Sequence, residues 1–179
     1  MFYNTYISSL GTITLASDGS GLTGLWIEGQ KYHGAATDTN SSDNNSSLPI
    51  FTEAKDWLNA YFAGQRPSIS FLQLSPAGSA FRQAVWHALC DIPYGKTTTY
   101  KAVTQKLAEI SGGGKGAFQA VGGAIAHNPI SIIIPCHRVV GSDGSLTGYA
   151  GGIHTKVKLL KLEGADMSRL FVPNKGSAL

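Results

Sequence analysis

Apolar and polar residues alternate along the first part of the chain, as they do in half-buried β-strands. Three alternating segments cover residues 2–7, 12–16 and 22–27. They are separated by Gly11 and by the turn sequence Asp-Gly-Ser-Gly at 18–21. Short alternating segments divided by such residues predict a meander of antiparallel strands.

A helical period replaces this alternation after the first fifty residues. Pro49 is typical of a first helical position, and Gly64 of the position just after a helix. Between them, the apolar residues fall on one helical face: Phe51, Ala54, Trp57, Leu58, Tyr61 and Phe62. We therefore predict a helix that covers the sheet. The remaining segments predict a long polar loop at 29–48, a further strand at 69–74 and a linker at 75–78.

Three helices are predicted between residues 79 and 127. Ser79 is the expected N-cap of the first, whose buried stripe would comprise Phe81, Ala84, Val85, Ala88 and Leu89. Threonines at 97–99 supply caps for a second helix, and a flexible glycine-rich turn at 111–116 leads to a third at 117–127. The last two helices predict a helix-turn-helix.

The third helix is narrow, because four of its residues are small: Ala120, Gly122, Gly123 and Ala124. An internal glycine costs about 1 kcal/mol relative to alanine, so close approach by another backbone would be a compensation. Packing against the protein's own core would explain the glycines equally well.

The candidate for chemistry follows three consecutive isoleucines at 132–134, which predict a fully buried strand. Pro135 must end that strand, and Cys136 and His137 come next. A cysteine is a nucleophile only as the thiolate, and a nearby histidine, arginine or helix N-terminus could lower its pKa. From these residues alone, a buried structural cysteine is an equally good interpretation.

Cys136 and His137 cannot easily hydrogen-bond to each other on one regular element, because neighbouring residues do not face each other. A bridging water would solve this problem. A third group would then have to orient the imidazole.

The last part of the chain predicts a hairpin turn at 141–144, a glycine-rich loop at 147–152 and a helix at 154–162. The helix would end in Glu163 and a capping Gly164. Its lysines and Glu163 would, by pattern alone, be surface residues. The final fifteen residues predict an appendage of uncertain order.

Composition allows one domain or two small ones, since the chain has 179 residues of which 42% are hydrophobic. No apolar run is long enough for a transmembrane helix, and the N-terminus lacks the features of a signal peptide. We therefore expect a cytoplasmic protein that does not bind membranes. Cys90 and Cys136 are expected to be free thiols, and neither belongs to a zinc-ligand spacing.

Charge is distributed unequally between the two halves of the chain. Residues 1–79 hold three basic and six acidic residues, a net charge of −3, whereas residues 80–179 hold eleven and five, a net charge of +6. The basic half contains Cys136. Such asymmetry is typical of proteins that bind polyanions, although a solvated basic face explains it about as often.

The sequence Pro135-Cys136-His137-Arg138-Val139, with Asn128-Pro129 before it, resembles the O6-alkylguanine-DNA alkyltransferase family. The similarity covers residues 81–164 and is weaker in the first third of the chain. It includes Tyr100 and the segments 92–96, 120–124, 147–152 and 162–164.

This resemblance implies a mixed α/β (α+β) fold of two domains. A small ribonuclease-H-like N-terminal domain would cover residues 1–75, and a winged helix-turn-helix domain at 79–165 would bind DNA and carry the chemistry. Residues 166–179 would form a C-terminal tail.

The resemblance also assigns catalytic roles. Cys136 accepts the alkyl group of an O6-alkylguanine that is flipped out of duplex DNA, His137 is its water-mediated base, and Glu163 orients His137. Tyr100 donates a proton to the leaving guanine, and Asn128 ties the helix-turn-helix to the active-site turn. Because a thioether has no good leaving group, each chain would act once.

The base would be read by the carbonyls of Cys136 and Val139, by Tyr149 and by the amide of Ala150. The implied DNA-binding residues are Lys115, Phe118, Gln119, Ala120 and Gly123. Gln119 departs from the family pattern, in which an arginine fills the place of the flipped base. Glutamine lacks the planar cation that stacks well.

No cofactor and no metal is implied. The expected partner is double-stranded DNA that contains O6-alkylguanine or O4-alkylthymine, and the protein would act as a monomer. Two other classes remain open: a non-catalytic lesion sensor or helix-turn-helix regulator, and a Cys-His hydrolase that turns over.

Overall fold

The computed structural model describes residues 1–32, 47–111 and 117–173. Two compact units make up the chain: Met1–Ala77 with Pro129–Ser131, and Gly78–Asn128 with Ile132–Leu179. Within the described residues, no helix has both the length and the apolar character needed to cross a bilayer. Most of the predicted polar loop and of the glycine-rich turn lies outside the described residues.

The first unit is an antiparallel sheet with one helix packed on it. Its elements are β1 (Phe2–Ser8), β2 (Gly11–Ser17), β3 (Leu22–Ile27) and α1 (Pro49–Phe62). The strands lie in sequence order, and the register pairs Leu15 with Leu25, both fully buried. The predicted meander and the predicted helix are therefore confirmed.

The predicted strand at 69–74 is wrong. Ile69–Phe71 forms a 3₁₀ turn, and Leu74 alone makes a β-bridge, to Leu22 of β3. The hydroxyl of Ser68 accepts the amide hydrogen of Ser70, which favours the turn over an extended backbone.

The second unit contains the predicted helix-turn-helix. Its elements are α2 (Ala80–Cys90), β4 (Thr98–Thr99), α3 (Tyr100–Ser111), α4 (Ala117–Ala126), β5 (Val139–Val140) and α5 (Ile153–Leu162). Helix α2 packs against both α3 and α4, and the short strands β4 and β5 pair in parallel. The chain is a mixed α+β protein, as the sequence predicts.

Helix α2 begins as predicted, and Val85, Ala88 and Leu89 are buried as predicted, but the rest of the predicted stripe is not. The hydroxyl of Ser79 accepts the amide hydrogen of Arg82, as an N-cap should. Phe81 and Ala84, which were expected in the buried stripe, are exposed. Trp86 is buried instead, because its indole N–H donates to the carbonyl of Ala124 at 2.8 Å and its ring packs inside the unit.

The isoleucines at 132–134 are buried, as predicted, but they are not a strand. They form a turn in which Ile132 has a left-handed backbone with φ of 70°. The predicted burial of these isoleucines is therefore confirmed, whereas the predicted strand is wrong. The turn places Pro135 and the residues after it close to the end of α4, through Asn128.

The predicted C-terminal appendage is attached to the second unit for part of its length. The amide of Leu146 donates to the carbonyl of Phe171, and the amide of Phe171 donates to the carbonyl of Gly144. Met167 and Leu170 pack on an apolar cluster of α5 and β5. The expectation of uncertain order is therefore wrong for residues 165–171, and residues 174–179 lie outside the described part.

Candidate active site

Cys136 begins a 3₁₀ turn, Cys136–Arg138, directly after Pro135. Its side chain is buried, with 5% exposure for the residue. The amide of Asn128, just beyond the end of α4, donates to the Cys136 sulfur at 3.1 Å and to the carbonyl of Ile134 at 2.8 Å. Asn128 thus connects the second helix of the helix-turn-helix to the turn that carries the thiol.

His137 and Glu163 form a hydrogen-bonded pair in which both side chains are completely buried. The imidazole Nε2 lies 2.7 Å from Glu163 Oε1. Arg138 donates from Nε to Glu163 Oε2 at 2.9 Å and from Nη2 to Oε1 at 3.0 Å. The amide of Gly95 also donates to Glu163 Oε2, at 3.1 Å. The surface position that the pattern alone predicted for Glu163 is therefore wrong.

These contacts define the protonation of His137. Burial alone would raise the pKa of Glu163, but its hydrogen bonds to His137 and Arg138 outweigh burial and hold the pKa well below its usual range. Glu163 is therefore a carboxylate, and Nε2 of His137 must donate its proton to it. Burial also lowers the pKa of His137, so the ring is neutral and its Nδ1 is an acceptor. That buried Nδ1 has no protein partner among the described residues.

The thiol rests in its protonated form. Burial raises the pKa of Cys136, while the hydrogen bond from Asn128 and the charge of Lys156 act in the opposite direction. A base is therefore required to produce the thiolate. The neutral Nδ1 of His137 is a base of the right kind.

Arg138 anchors the turn from the other side. Its Nη1 donates to the carbonyl of Ile92 at 2.6 Å, and its guanidinium lies 5.7 Å from the centre of the Tyr94 ring. Arg138 is itself buried, with 6% exposure.

Tyr100, at the first position of α3, lies beside the glycine-rich loop. Its hydroxyl is 3.2 Å from the carbonyl of Thr147 and 3.3 Å from that of Gly148. Burial, followed by the influence of Cys136, raises the pKa of Tyr100, so its hydroxyl stays protonated and can donate. Gly148 has φ of 72°, and a Cβ there would lie 2.5 Å from the Tyr100 hydroxyl oxygen.

The other predicted base-binding residues border the same region. Val139 follows the 3₁₀ turn in β5, and the ring of Tyr149 meets that of His137 edge to face, with centroids 6.4 Å apart. Ala150 follows in the same loop and is half-buried.

Lys156 is a residue of this site that the sequence analysis missed. It is fully buried, and its Nζ donates to the carbonyls of Val139 at 2.6 Å and Thr147 at 2.8 Å. The spacing of residues along the last helix could have indicated that Lys156 is buried. Lys156, Leu159, Leu160 and Glu163 have the i, i+3, i+4, i+7 spacing of one helical face, and the two leucines identify that face as the buried one.

The predicted DNA-contact residues that the structure describes lie on α4, apart from this cluster. Phe118, Gln119 and Ala120 are exposed at the beginning of the helix. A Cβ on Gly122 or Gly123 would meet no described atom within 4 Å beyond the helix backbone and adjacent residues. Packing among the described residues therefore does not require these glycines. Lys115 lies outside the described residues.

A metal ion has no evident set of ligands in the described segments, where no three His, Cys, Asp or Glu side chains are grouped to hold one.

Comparison with known proteins assigns both halves of the chain to one family. Residues 1–76 match the family "6-O-methylguanine DNA methyltransferase, ribonuclease-like domain", and residues 80–165 match "6-O-methylguanine DNA methyltransferase, DNA binding domain". The methylated-DNA–protein-cysteine methyltransferase of Methanosarcina barkeri is 45% identical over 91% of this chain and 97% of its own length. The protein of that name from Mycobacterium tuberculosis is 44% identical over 90% of this chain and 91% of its own length.

Solved structures agree with the family assignment. The crystal structure of Mycobacterium tuberculosis OGT in complex with DNA has a TM-score of 0.75 and 44% identity, and the match covers 95% of each chain. An O6-methylguanine-DNA methyltransferase from Pyrococcus kodakaraensis shares the fold, with a TM-score of 0.52 at 22% identity. The predicted fold class is confirmed. With both domains matched and relatives of this identity along nearly the whole length, the chain belongs to the 6-O-methylguanine DNA methyltransferase family.

Proposed function

We propose that this protein repairs DNA by transferring the alkyl group of O6-alkylguanine irreversibly to its own Cys136. The observation that carries this proposal is the buried chain of contacts from Asn128 to Cys136 and from His137 to Glu163, in a member of this family. The relatives named above are methylated-DNA–protein-cysteine methyltransferases, which matches a thiol held beside a neutral base.

The proposed reaction begins with removal of the thiol proton. His137 Nδ1 accepts that proton through a bridging water, while Glu163 holds the proton on Nε2 and stabilises the imidazolium. The sulfur then forms a bond to the alkyl carbon as the bond from that carbon to guanine O6 breaks. Guanine leaves with the electron pair and takes a proton from the Tyr100 hydroxyl, which is reprotonated by the proton first removed from the thiol. The thioether has no good leaving group, so each chain reacts once.

The pocket proposed for the flipped base lies between the turn and the glycine-rich loop. The carbonyls of Cys136 and Val139, the ring of Tyr149 and the amide of Ala150 would read it. Tyr100 suits the donor role because its raised pKa keeps the hydroxyl protonated, and the carbonyls of Thr147 and Gly148 hold it at the edge of this loop.

Helix α4 is the proposed contact with duplex DNA, in the minor groove. Gly122 and Gly123 leave part of the α4 surface without side chains. Packing among the described residues does not require this, which favours close approach by another molecule. Phe118 and Gln119 lie one turn before these glycines, at i and i+4 spacing, and both are exposed. Flipping the base leaves a gap in the stack, and Gln119, with Phe118 and Ala120 beside it, would lie against that gap. Lys115 is proposed as a phosphate contact.

Mass spectrometry of the intact protein tests the proposed reaction. After incubation with duplex DNA that contains O6-methylguanine, each chain should gain one methyl group, and further DNA should add no second one. Peptide mapping should locate the methyl group on Cys136. Cys90 serves as an internal control, because burial raises its pKa to about 11. Methylation of Cys90 alone, or repeated turnover, would contradict the proposal.

The glycines of α4 give a prediction in which stability and DNA binding change in opposite directions. Gly122→Ala and Gly123→Ala should each stabilise the free protein by up to about 1 kcal/mol, because alanine is the better helix former and its Cβ meets nothing. The same methyl groups should weaken binding to duplex DNA by roughly tenfold, since they separate the helix from the groove.

Thermal unfolding and a DNA-binding titration measure these two effects. Reaction with free O6-benzylguanine, which needs no duplex, is the control and should be unchanged. Parental DNA affinity in both variants would show that this side of α4 does not face the DNA.

A further inference from the structure

Gln30 is a buried glutamine in a segment for which the sequence pattern predicts a polar loop. Its neighbours Gly29 and Lys31 are exposed, whereas Gln30 is only 5% exposed. Burying a side-chain amide is costly unless its polar atoms are hydrogen-bonded. The position of Gln30 therefore needs a physical reason, which its contacts supply.

The side-chain oxygen of Gln30 accepts two hydrogen bonds. One comes from the backbone amide of Ile27, the last residue of β3, at 3.2 Å. The other comes from the hydroxyl of Ser131 at 3.0 Å. Because a backbone amide can only donate, the contact with Ile27 requires the oxygen of Gln30 at that point, and the same oxygen faces Ser131. Ser131 lies 101 residues after Gln30 and is 1% exposed.

Ser131 ends a three-residue segment, 129–131, that pairs with β3 inside the first unit. Ile130 makes a parallel β-bridge to Leu25. The amide of Leu25 donates to the carbonyl of Pro129 at 2.8 Å, and the amide of Ser131 donates to the carbonyl of Leu25 at 2.9 Å. The chain thus belongs to the first unit for these three residues and returns to the second unit at Ile132, four residues before Cys136.

The residue at which the chain returns has a strained backbone. Ile132 has φ of 70°, which β-branched residues rarely adopt, and its side chain is fully buried. Such a conformation persists only where the surrounding contacts hold it. After Ile132, the side chain of Asn128 holds the sulfur of Cys136. Directly before Ile132, the side-chain contact is the hydrogen bond from Ser131 to Gln30.

We propose that Gln30 is a positioning residue for the turn that carries Cys136. By holding the hydroxyl of Ser131, it fixes the residue before Ile132 and opposes relaxation of Ile132 toward an extended backbone. This inference deepens the proposed function and rests on it only for the identity of the reaction. It gives a residue of the first unit an effect on the reactive thiol.

Two variants remove the hydrogen bond from opposite sides. Ser131→Ala removes the donating hydroxyl, and Gln30→Met removes the accepting oxygen but keeps an unbranched side chain. If the bond only satisfied buried polar groups, both variants would be less stable and the turn at Cys136 would be unchanged. If it positions the turn, both should also loosen residues 132–138.

Hydrogen–deuterium exchange of the peptide that covers residues 132–138 measures this loosening. The amide of Cys136 donates to the carbonyl of Ile134 at 2.8 Å, so its exchange reports opening of the turn. We expect exchange in this peptide to become roughly tenfold faster in each variant. The double variant should exchange no faster than Gln30→Met alone, because both changes remove the same bond.

Ser17→Ala is the matched control. Ser17 is fully buried in the same unit, and its hydroxyl donates to the carbonyl of Gly21 at 2.7 Å, within the turn between β2 and β3. This variant should lower the thermal unfolding temperature as Ser131→Ala does, and it should leave exchange in residues 132–138 unchanged. Equal acceleration in the control, or parental exchange in a folded Ser131→Ala protein, would overturn the inference. If Ser131→Ala does not fold, Gln30→Met decides in the same way.

Single-turnover reaction with duplex DNA that contains O6-methylguanine gives the second readout. Ser131→Ala and Gln30→Met should slow transfer at saturating DNA roughly tenfold, because the thiol is misplaced. The DNA concentration for half-maximal rate should not change, and Ser17→Ala should keep the parental rate. A parental rate in a variant whose turn exchanges faster would overturn the positioning role.

The exchange measurement uses neither DNA nor an alkylated base. Unchanged exchange would therefore reject the role of Gln30 and leave the transfer reaction untouched. Conversely, a parent protein that fails to accept alkyl groups from DNA would reject the proposed function, while faster exchange in the variants would still support the hold of Gln30 on the turn.

Discussion

Glu163→Gln should slow alkyl transfer by roughly 10²-fold or more, although glutamine has the same shape as glutamate. Hydrogen bonds to the two oxygens of Glu163 come from His137, from Gly95 and twice from Arg138. Glutamine offers one oxygen and one NH₂ group, so it cannot satisfy all of these donors.

Either orientation of the glutamine amide damages the site. If the NH₂ group takes the place of Oε2, it faces the N–H groups of Gly95 and Arg138. All of these groups are donors, so neither hydrogen bond can form. If it takes the place of Oε1, it donates to His137 Nε2, which must then be the acceptor. The ring proton moves to Nδ1, and the atom proposed to receive the thiol proton is no longer a base. The expected loss of rate therefore comes from the tautomer of His137.

Single-turnover reaction with free O6-benzylguanine measures this effect without DNA binding. Glu109→Gln makes the same chemical change at an exposed position of α3 and should react like the parent. Because Arg138 loses its buried counter-charge, Glu163→Gln should also be less stable, by about 3 kcal/mol or more, so rates are compared below its unfolding temperature. A folded Glu163→Gln protein with the parental rate would show that Glu163 does not act on His137.

Much of the fold could be predicted from local pattern. The strands of the first unit and α1 have clear periods of two and 3.6 residues, and Ser79 and Pro49 mark helix beginnings where the structure has them. The errors arise where tertiary contacts decide. Ile132 adopts a left-handed conformation that hydrophobicity cannot indicate, and Trp86 joins the buried face of α2, where its indole donates to the carbonyl of Ala124.

Less of the site than of the fold could be predicted from the sequence pattern. Cys136 and His137 are neighbours in the sequence. Glu163, however, lies 26 residues after His137, and Gly95 lies 68 residues before Glu163. Only the fold brings such residues together, so their roles came from the resemblance. Lys156 and Glu163 were interpreted as surface residues because they are charged, whereas their spacing from Leu159 and Leu160 places them on the buried face.

Gly95→Ala should slow transfer by roughly 10²-fold, although residue 95 contributes no side chain to the reaction. A Cβ at this position would lie 2.6 Å from the backbone carbonyl oxygen of Glu163. That contact is with backbone, so it cannot be relieved by rotating a side chain. The chain around Gly95 and Glu163 must move apart, which also lengthens the hydrogen bond from the Gly95 amide to Glu163 Oε2.

Backbone strain must be separated from this clash, because Gly95 has φ of 71°. Gly64 has φ of 76°, and a Cβ there would meet nothing within 4 Å. Gly64→Ala should therefore show the left-handed strain alone, a loss of about 1–2 kcal/mol in the free energy of unfolding with no change in transfer rate. Gly95→Ala should lose more stability than this control and should lose transfer as well.

The double variant Gly95→Ala/Glu163→Gln decides whether Gly95 acts through Glu163. If its only role is to place that carboxylate, the double variant should react no more slowly than the slower single variant, because the interaction is already lost. Independent roles would instead multiply the two losses, to roughly 10⁴-fold. Multiplied losses, or a Gly95→Ala protein as fast as Gly64→Ala, would contradict the placement of Glu163 by Gly95. A non-multiplied loss would mean that the loop at Gly95 acts on the reaction by positioning Glu163, the carboxylate that holds His137 Nε2 at 2.7 Å.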